Sequence, residues 1–296
     1  MGLAHEIKTL DPEKKGLHVV TDEELTEIHS ILVDMLDDIK RVCDKNQIEW
    51  GISGGCALGA VRHHGFIPWD DDVDIIFTRE NFEKFKKAYS KECDPKYELV
   101  CPGESGYYLH LPRIFNTKTT AEIIQNLGRG KGLYIDIFIL ENSYDNVIMR
   151  TLHGMFCTAY LFIISSVITR QQKSNLYKYG SDKLKRQVKL RSFFGSIFAF
   201  RKPEAWIESG IKVFSHVKNN NSKYIVSVTG SGHYFGEIYA RDKMCPFQCL
   251  NFEGKPFPFM KDVDYFCKMR FGDNYMEVPP VEKREKHMYI SLNLHE

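Results

Sequence analysis

A glycine turn followed at short range by a run of carboxylates constrains this 296-residue chain more than any other feature. Residues Trp50 to Phe77 read W-G-I-S-G-G-C-A-L-G-A-V-R-H-H-G-F-I-P-W-D-D-D-V-D-I-I-F. Asp72 and Asp74 alternate within a short apolar strand, so their side chains project from one face. Two carboxylates held that close repel each other in a low dielectric. A hard divalent cation is the simplest group that offsets the repulsion, and Mg2+ or Mn2+ suits such oxygen ligands. Gly54 and Gly55 leave room for a phosphate to reach backbone N–H groups, Ser53 adds a hydroxyl, and the helix that follows contributes its positive end. Together these features read as phosphoryl or nucleotidyl transfer.

Composition allows a large core. The chain is 43% hydrophobic and contains 20 Phe and 15 Tyr. Its charged fraction, 27%, is that of an ordinary folded protein, which argues against disorder over most of its length. A net charge of +1 gives no global case for nucleic-acid binding, so any basic surface must be local. The eight cysteines are scattered and form no dense disulfide framework, which fits a reducing, cytoplasmic compartment. Cys245 and Cys249 have zinc-ligand spacing, with Cys267 and either His233 or His287 to complete a site; without a second tight pair, ordinary thiols are the preferred reading.

The coarse organisation follows from caps and periodicity. Residues 1–20 form a lead-in arm. T-D-E-E at Thr21 is a capping box, and apolar residues at helical spacing carry a helix to about Cys43. A strand is predicted over Ile48–Ser53, a short helix over Cys56–His63, the aspartate strand up to Phe77, and a capped surface helix to about Ser90. Leu109–Asn116 is a strand with a proline-marked edge. Gly132–Leu140 is the most β-prone segment, and Asp136 sits within it. A carboxylate among continuous apolar residues needs a partner, so Asp136 is read as a third metal-facing ligand or a general base. Tyr224–Val228 reads as a strand, residues 245–260 as packed irregular surface, and Asp262–Arg270 as the last helix.

Val147–Ile168 is apolar, and its uncharged part is at the short limit for a bilayer crossing. A buried core helix is the first reading, an interfacial or partly inserted helix the second and a true membrane span the third. Residues 173–202 carry nine Lys or Arg against one acid, Asp182, interleaved with aromatic and aliphatic residues. A basic amphipathic stretch of this kind suits either a solvated insertion or contact with an anionic membrane. No nucleic-acid recognition motif accompanies it.

The stretch G-C-A-L-G-A-V-R-H-H-G-F-I-P-W-D-D-D-V-D-I closely resembles the LicD family of phosphorylcholine transferases, related to the fukutin group. Cys56-Ala57 is a small departure, where the family often has a larger or hydroxylated residue. The resemblance continues in Y-I-D-I-F-I-L around Asp136 and in F-G-D-N-Y-M-E-V-P-P. It implies an α+β nucleotidyltransferase fold of the polymerase-β type, a mixed sheet flanked by helices with a helical insertion. The domains expected are a catalytic core over 21–145, a basic helical insertion over 146–220, and a C-terminal region over 221–296 packing on the core. By the same resemblance Asp72, Asp74 and Asp136 are the metal-binding and catalytic acids, and Arg62 and Arg113 are basic residues near the site. Trp69 is read as packing beneath it; His63 and His64 are weaker candidates for a base.

The function implied is Mg2+-dependent transfer of phosphocholine, or a related phospho-alcohol, from CDP-choline or another CDP-alcohol to a hydroxyl of a cell-surface glycan or lipid-linked teichoic acid precursor. The expected location is the cytoplasm, with contact at the inner face of the membrane. One alternative is transfer of a nucleoside monophosphate to a small molecule or RNA; another is a non-enzymatic glycan-binding protein. A quaternary ammonium would favour an aromatic cage, for which Tyr107, Tyr108, Tyr134, Trp206, Tyr234, Phe235 and Tyr239 are available.

Overall fold

The computed structural model describes residues 15–124, 128–281, 284 and 289–295. Most of the arm expected at 1–20 therefore lies outside the described residues, as does His287. Helix α1 (Asp22–Lys45) starts at the capping box: the Glu24 N–H donates to Thr21 Oγ1 at 3.2 Å, and the Thr21 N–H to Glu24 Oε2 at 2.8 Å. Its buried face includes Ile28, Leu32, Met35, Leu36 and Ile39, at the predicted helical spacing. It lies beneath the sheet with α3 (Arg79–Glu92), which is capped by Thr78.

The elements between them position the site. Strand β1 (Gly51–Ser53) runs directly into helix α2 (Gly54–Arg62), and a loop returns the chain as β2 (Val73–Thr78). Then come β3 (Tyr97–Val100), β4 (Arg113–Asn116), β5 (Thr120–Ile123) and β6 (Tyr134–Asn142). The predicted strand at Leu109–Asn116 is thus shorter by four residues at its start, where Pro112 withholds an N–H from any ladder.

Helices α4 (Val147–Gln171), α5 (Lys173–Tyr179), α6 (Asp182–Ile197) and α7 (Pro203–Phe214) follow as a helical layer. After it come β7 (Tyr224–Ser227), α8 (His233–Gly236), β8 (Ile238–Ala240), α9 (Arg241–Met244), β9 (Gln248–Phe252), β10 (Lys255–Phe259), α10 (Val263–Phe271) and β11 (Tyr289–Asn293).

The principal sheet has nine strands in the order β3-β4-β6-β2-β1-β10-β9, with β7 also on β6 and β8 on β7. β2 and β6 are parallel; β1 and β4 flank them antiparallel. β6 is long enough to serve two partners: its first half pairs with β4 and its last three residues with β7. The C-terminal region, expected to pack on the core, is woven into it through β7 to β10.

Residues 245–260, read from sequence as irregular, hold the β9–β10 hairpin. The prolines masked a period-two strand, K-P-F-P-F, in which Phe257 and Phe259 are buried while Pro256 is exposed. Its turn, Glu253-Gly254, has positive φ at both residues (52° and 75°), the backbone that tight hairpins require. The fold is the mixed α+β architecture expected, with one large core around the sheet, a second between α4, α7 and β7, and a third in which Leu176, Tyr179, Leu184 and Val188 of α5 and α6 meet Leu17 and Ile124.

Candidate active site

Strand register sets four polar residues in one row. Ser53 on β1 pairs with Asp74 on β2, Asp74 with Asp136 on β6, and Asp136 with Arg113 on β4. Directly paired residues share a face of the sheet, so all four point the same way, with neighbouring strands about 4.8 Å apart. Asp72 lies in the loop just before β2, two residues from Asp74.

The glycines are there for the acids. A Cβ at Gly54 would overlap the Asp74 carboxylate, and one at Gly55 would overlap Asp70 Oδ2. The pair expected as a turn is in fact the first turn of α2, with Gly54 at φ 57°. Carboxylates drawn to the positive end of a helix are electrostatically favoured there. Cys56, in that first turn, donates its S–H to the Asp72 carbonyl at 3.3 Å. Its thiol is pushed well above the ordinary range by burial, and further by Asp70, Asp72 and Asp74 around it. The loop carrying these acids is fixed from α1: His29 bonds the Asp70 carbonyl at 2.7 Å and stacks on Phe66 with centroids 3.9 Å apart.

Asp136 is held differently. Arg113 forks onto it, Nε to Oδ1 and Nη2 to Oδ2, the latter at 3.2 Å. The guanidinium lies 3.7 Å above the Tyr134 ring. Burial alone would lower the Arg113 pKa, but Asp136 outweighs it and raises it. The remaining nitrogen, Nη1, is buried and has no hydrogen-bond partner among the described residues. A buried donor left unmade costs about 1–3 kcal/mol, so this edge of the row favours an incoming oxygen acceptor.

The expected three-carboxylate metal set is therefore divided. The register places Asp74 beside Asp136, yet among the described residues no three His, Cys, Asp or Glu side chains converge to hold a metal. Asp136 is turned to Arg113 instead. Asp72 and Asp74 still fit a divalent cation by chemistry: hard oxygen donors two residues apart, where a phosphate could not approach the glycine backbone without a cation to offset the acids.

The other sequence candidates lie elsewhere. Arg62, at the far end of α2 and roughly 12 Å along the helix from Gly54, donates through Nη1 to the carbonyls of Tyr275 and Glu277 at 3.0 and 3.1 Å. It secures the F-G-D-N-Y-M-E segment rather than the row. Asp71 is buried and hydrogen-bonded to Tyr289 of β11. Trp69 packs between His63 and Arg284, the latter 3.9 Å over its ring. His64 is exposed. Cys245, Cys249 and Cys267 are free thiols. The aromatic candidates divide between the two cores: Tyr107, Tyr134 and Tyr239 in one, Tyr108, Trp206 and Tyr234 in the other.

Sequence reasoning passed over His110. Desolvation pushes its pKa down to about 4, aided by His233 and Arg113 and opposed by Asp136. It is the histidine that the fold brings to Asp136, and its position three residues before Arg113, in L-H-L-P-R, was the available signal. A cavity of about 250 Å3 opens beside it, lined by Arg79, Phe82, Pro112, Ile139 and Phe214 among others. The glycine-rich loop Thr229–His233 closes that edge, held by Glu237, which accepts from the Gly232 N–H at 2.8 Å and pairs with Arg270 at 3.0 Å.

Residues 47–153, which carry the whole row, match the family described as LicD/FKTN/FKRP, nucleotidyltransferase domain. Over this segment the chain is similar to that family. It is 24% identical over 283 residues to the lipopolysaccharide cholinephosphotransferase LicD of Haemophilus influenzae, covering 89% of this chain and 95% of that protein. An uncharacterised protein of Rickettsia prowazekii is 32% identical over 113 residues, 37% of this chain and 39% of that one. The matched segment is nucleotidyltransferase-like, and the D-D-D-V-D loop, the glycine pair and Asp136 all fall inside it.

Proposed function

We propose that this chain transfers phosphocholine, or a related phospho-alcohol, from a CDP-alcohol to a hydroxyl of a cell-surface glycan or teichoic acid precursor. The observation that carries the reading is the row Ser53–Asp74–Asp136–Arg113, with the start of α2 at one end and an unpartnered guanidinium nitrogen at the other. The likeness to a cholinephosphotransferase over 95% of that protein's length supports the choice of group.

Asp72 and Asp74 would hold Mg2+, or Mn2+, which when bound draws charge from the phosphoryl oxygens. Arg113 Nη1 bonds a phosphate oxygen while Nε and Nη2 orient Asp136. A carboxylate oxygen keeps a second lone pair when it accepts from arginine, so Asp136 can still take the acceptor hydroxyl's proton. The hydroxyl oxygen bonds to the phosphorus carrying the alcohol, the bond to the bridging oxygen breaks, and CMP leaves. Ser53 and the helix start lie on the side where the nucleotide phosphate would depart.

The nucleotidyltransferase description of the family favours a second reading, transfer of a nucleoside monophosphate with loss of pyrophosphate. The leaving group separates the two. Incubation with Mg2+, a set of CDP-alcohols and a lipid-linked glycan extract should release CMP and label the glycan with phospho-alcohol. Pyrophosphate released from a nucleoside triphosphate, with no CMP, would overturn the first reading.

A further inference from the structure

The outer side of the helical layer is apolar where a solvated helix would be polar. α4 buries His153, Cys157, Leu161 and Ile164 against the sheet side. Its opposite side carries Ile148, Leu152, Phe156 and Phe162 at helical spacing, with Ile148 71% and Phe156 63% exposed. The core-helix reading therefore describes one side of α4 alone; less than half of its most apolar stretch is buried. α6 crosses it closely, Gly195 facing Ser166 and Phe194 meeting Phe162, and adds Leu190, Phe193 and Ile197 to the exposed surface. A helix apolar on all sides belongs in a core or in lipid, and contiguous exposed apolar surface marks a place of contact.

The border of this surface is cationic. Lys183, Arg186 and Lys189 occupy the exposed side of α6 one to three turns before Phe193. At the end of α4, Arg170, Lys173 and Lys189 line an open cleft of about 520 Å3 together with Ser192 and Phe193. Ser192 is 6% exposed, and its hydroxyl has no hydrogen-bond partner among the described residues. Three cations and a free hydroxyl beside exposed phenylalanine form a site for a phosphate attached to an apolar body. A second copy of this chain is disfavoured as the occupant, because two such faces would bring like charges together. A protein partner is disfavoured by the lysines, which protein interfaces exclude.

We infer that the outer faces of α4 and α6 dock on an anionic bilayer, the apolar side chains entering the boundary of headgroups and acyl chains while the Arg170–Lys173–Lys189–Ser192 cleft takes a lipid phosphate. The inference stands apart from the chemistry proposed at the aspartate row. Basic residues with Phe and Leu at helical spacing are what interfacial helices use. Attraction to the leaflet reaches about one Debye length, so it operates for residues at the contact and not for the far side of the sheet.

Flotation of the full chain with vesicles tests this without any substrate. The chain should float with mixed phosphatidylserine–phosphatidylcholine vesicles at low salt, and far less with phosphatidylcholine alone or at high salt. Lys173→Gln with Lys189→Gln should weaken binding by roughly fivefold per charge. Phe156→Ser with Phe193→Ser should weaken it at least as much while leaving the circular dichroism spectrum unchanged, since both rings are exposed. Inorganic phosphate at constant ionic strength should not release the bound protein. No flotation at low salt would overturn the inference, as would binding indifferent to both pairs of substitutions. Release by inorganic phosphate alone would assign the cleft to a soluble anion. Self-association that Phe156→Ser with Phe193→Ser abolishes, in a protein that ignores vesicles, would assign the face to a second copy.

Discussion

The Asp74 carboxylate occupies the space in which a side chain at Gly54 would begin. Gly54 also has φ 57°, a backbone that L-residues adopt at a cost. Gly54→Ala should therefore lower stability by about 1–3 kcal/mol and displace the acid. Thermal unfolding and CMP release measure both. In Gly54→Ala with Asp74→Ala the overlap with the carboxylate is gone and only the Asp74 Cβ stays close, at 3.0 Å, so stability should partly recover while activity does not; equal losses in the single and double variants would remove the steric account.

Asp72→Asn and Asp74→Asn should abolish turnover with little loss of folding, because each removes one of several like charges. The apo protein should unfold at the wild-type temperature or slightly above it. Mg2+ should raise the unfolding temperature of the wild type and not of either variant. A variant that keeps both turnover and the Mg2+ response would remove its aspartate from the site.

Arg113→Ala leaves the Asp136 carboxylate without the guanidinium that forks onto it. Breaking such a pair from one side costs about 3–5 kcal/mol. Arg113→Lys keeps the charge but not the fork. It should restore much of the stability and little of the activity, read as a split between unfolding temperature and kcat. Asp136→Asn should cut kcat by about 10²–10⁴-fold if Asp136 takes the proton.

Arg79 and Glu141 give a purely structural control away from the row. Arg79 Nε donates to Glu141 Oε2 at 3.0 Å, and Glu141 is 3% exposed. Arg79→Met should cost about 3–5 kcal/mol by stranding the carboxylate, whereas Arg79→Met with Glu141→Gln should cost less. Denaturant unfolding decides, and additive losses would show that the two residues do not interact.

His110 predicts a pH dependence. Its pKa is about 4 in the folded chain against 6.5 ordinarily, so the unfolded chain binds the extra proton between those values. Its contribution is complete above about pH 6.5 and is lost as pH falls toward 4. His110→Gln should flatten that part of the stability profile. An unchanged slope would assign the acid sensitivity to other groups.

What could be read from the sequence was local. The capping box at Thr21 and the Thr78 cap each depend on neighbours within four residues, and each forms. Asp136 stood out because a lone carboxylate in an apolar strand needs a partner. Its partner did not stand out: Arg113 meets it only through the antiparallel register of β4 and β6. Asp70 against Gly55, Arg62 on the Tyr275 carbonyl and His110 beside Asp136 are likewise products of topology. The β9–β10 hairpin was hidden by its own composition, since prolines at alternate positions suppress the strand signal while leaving the buried phenylalanines in period.

The sharing of β6 between β4 and β7 sets the smallest piece of this chain that can stand alone. The segment recognisable as the family's catalytic domain stops at 153, whereas β7 and β10 arrive after residue 220. A fragment ending with the recognisable segment would keep every acid of the row and lose one of the two partners of β1 and the partner of the last three residues of β6. Two raw ladder edges would flank the very strands that carry Asp74 and Asp136, inviting pairing with other chains. The helical layer thus interrupts one continuous sheet, and the strands that complete the ladders beside Asp74 and Asp136 come after it in the chain.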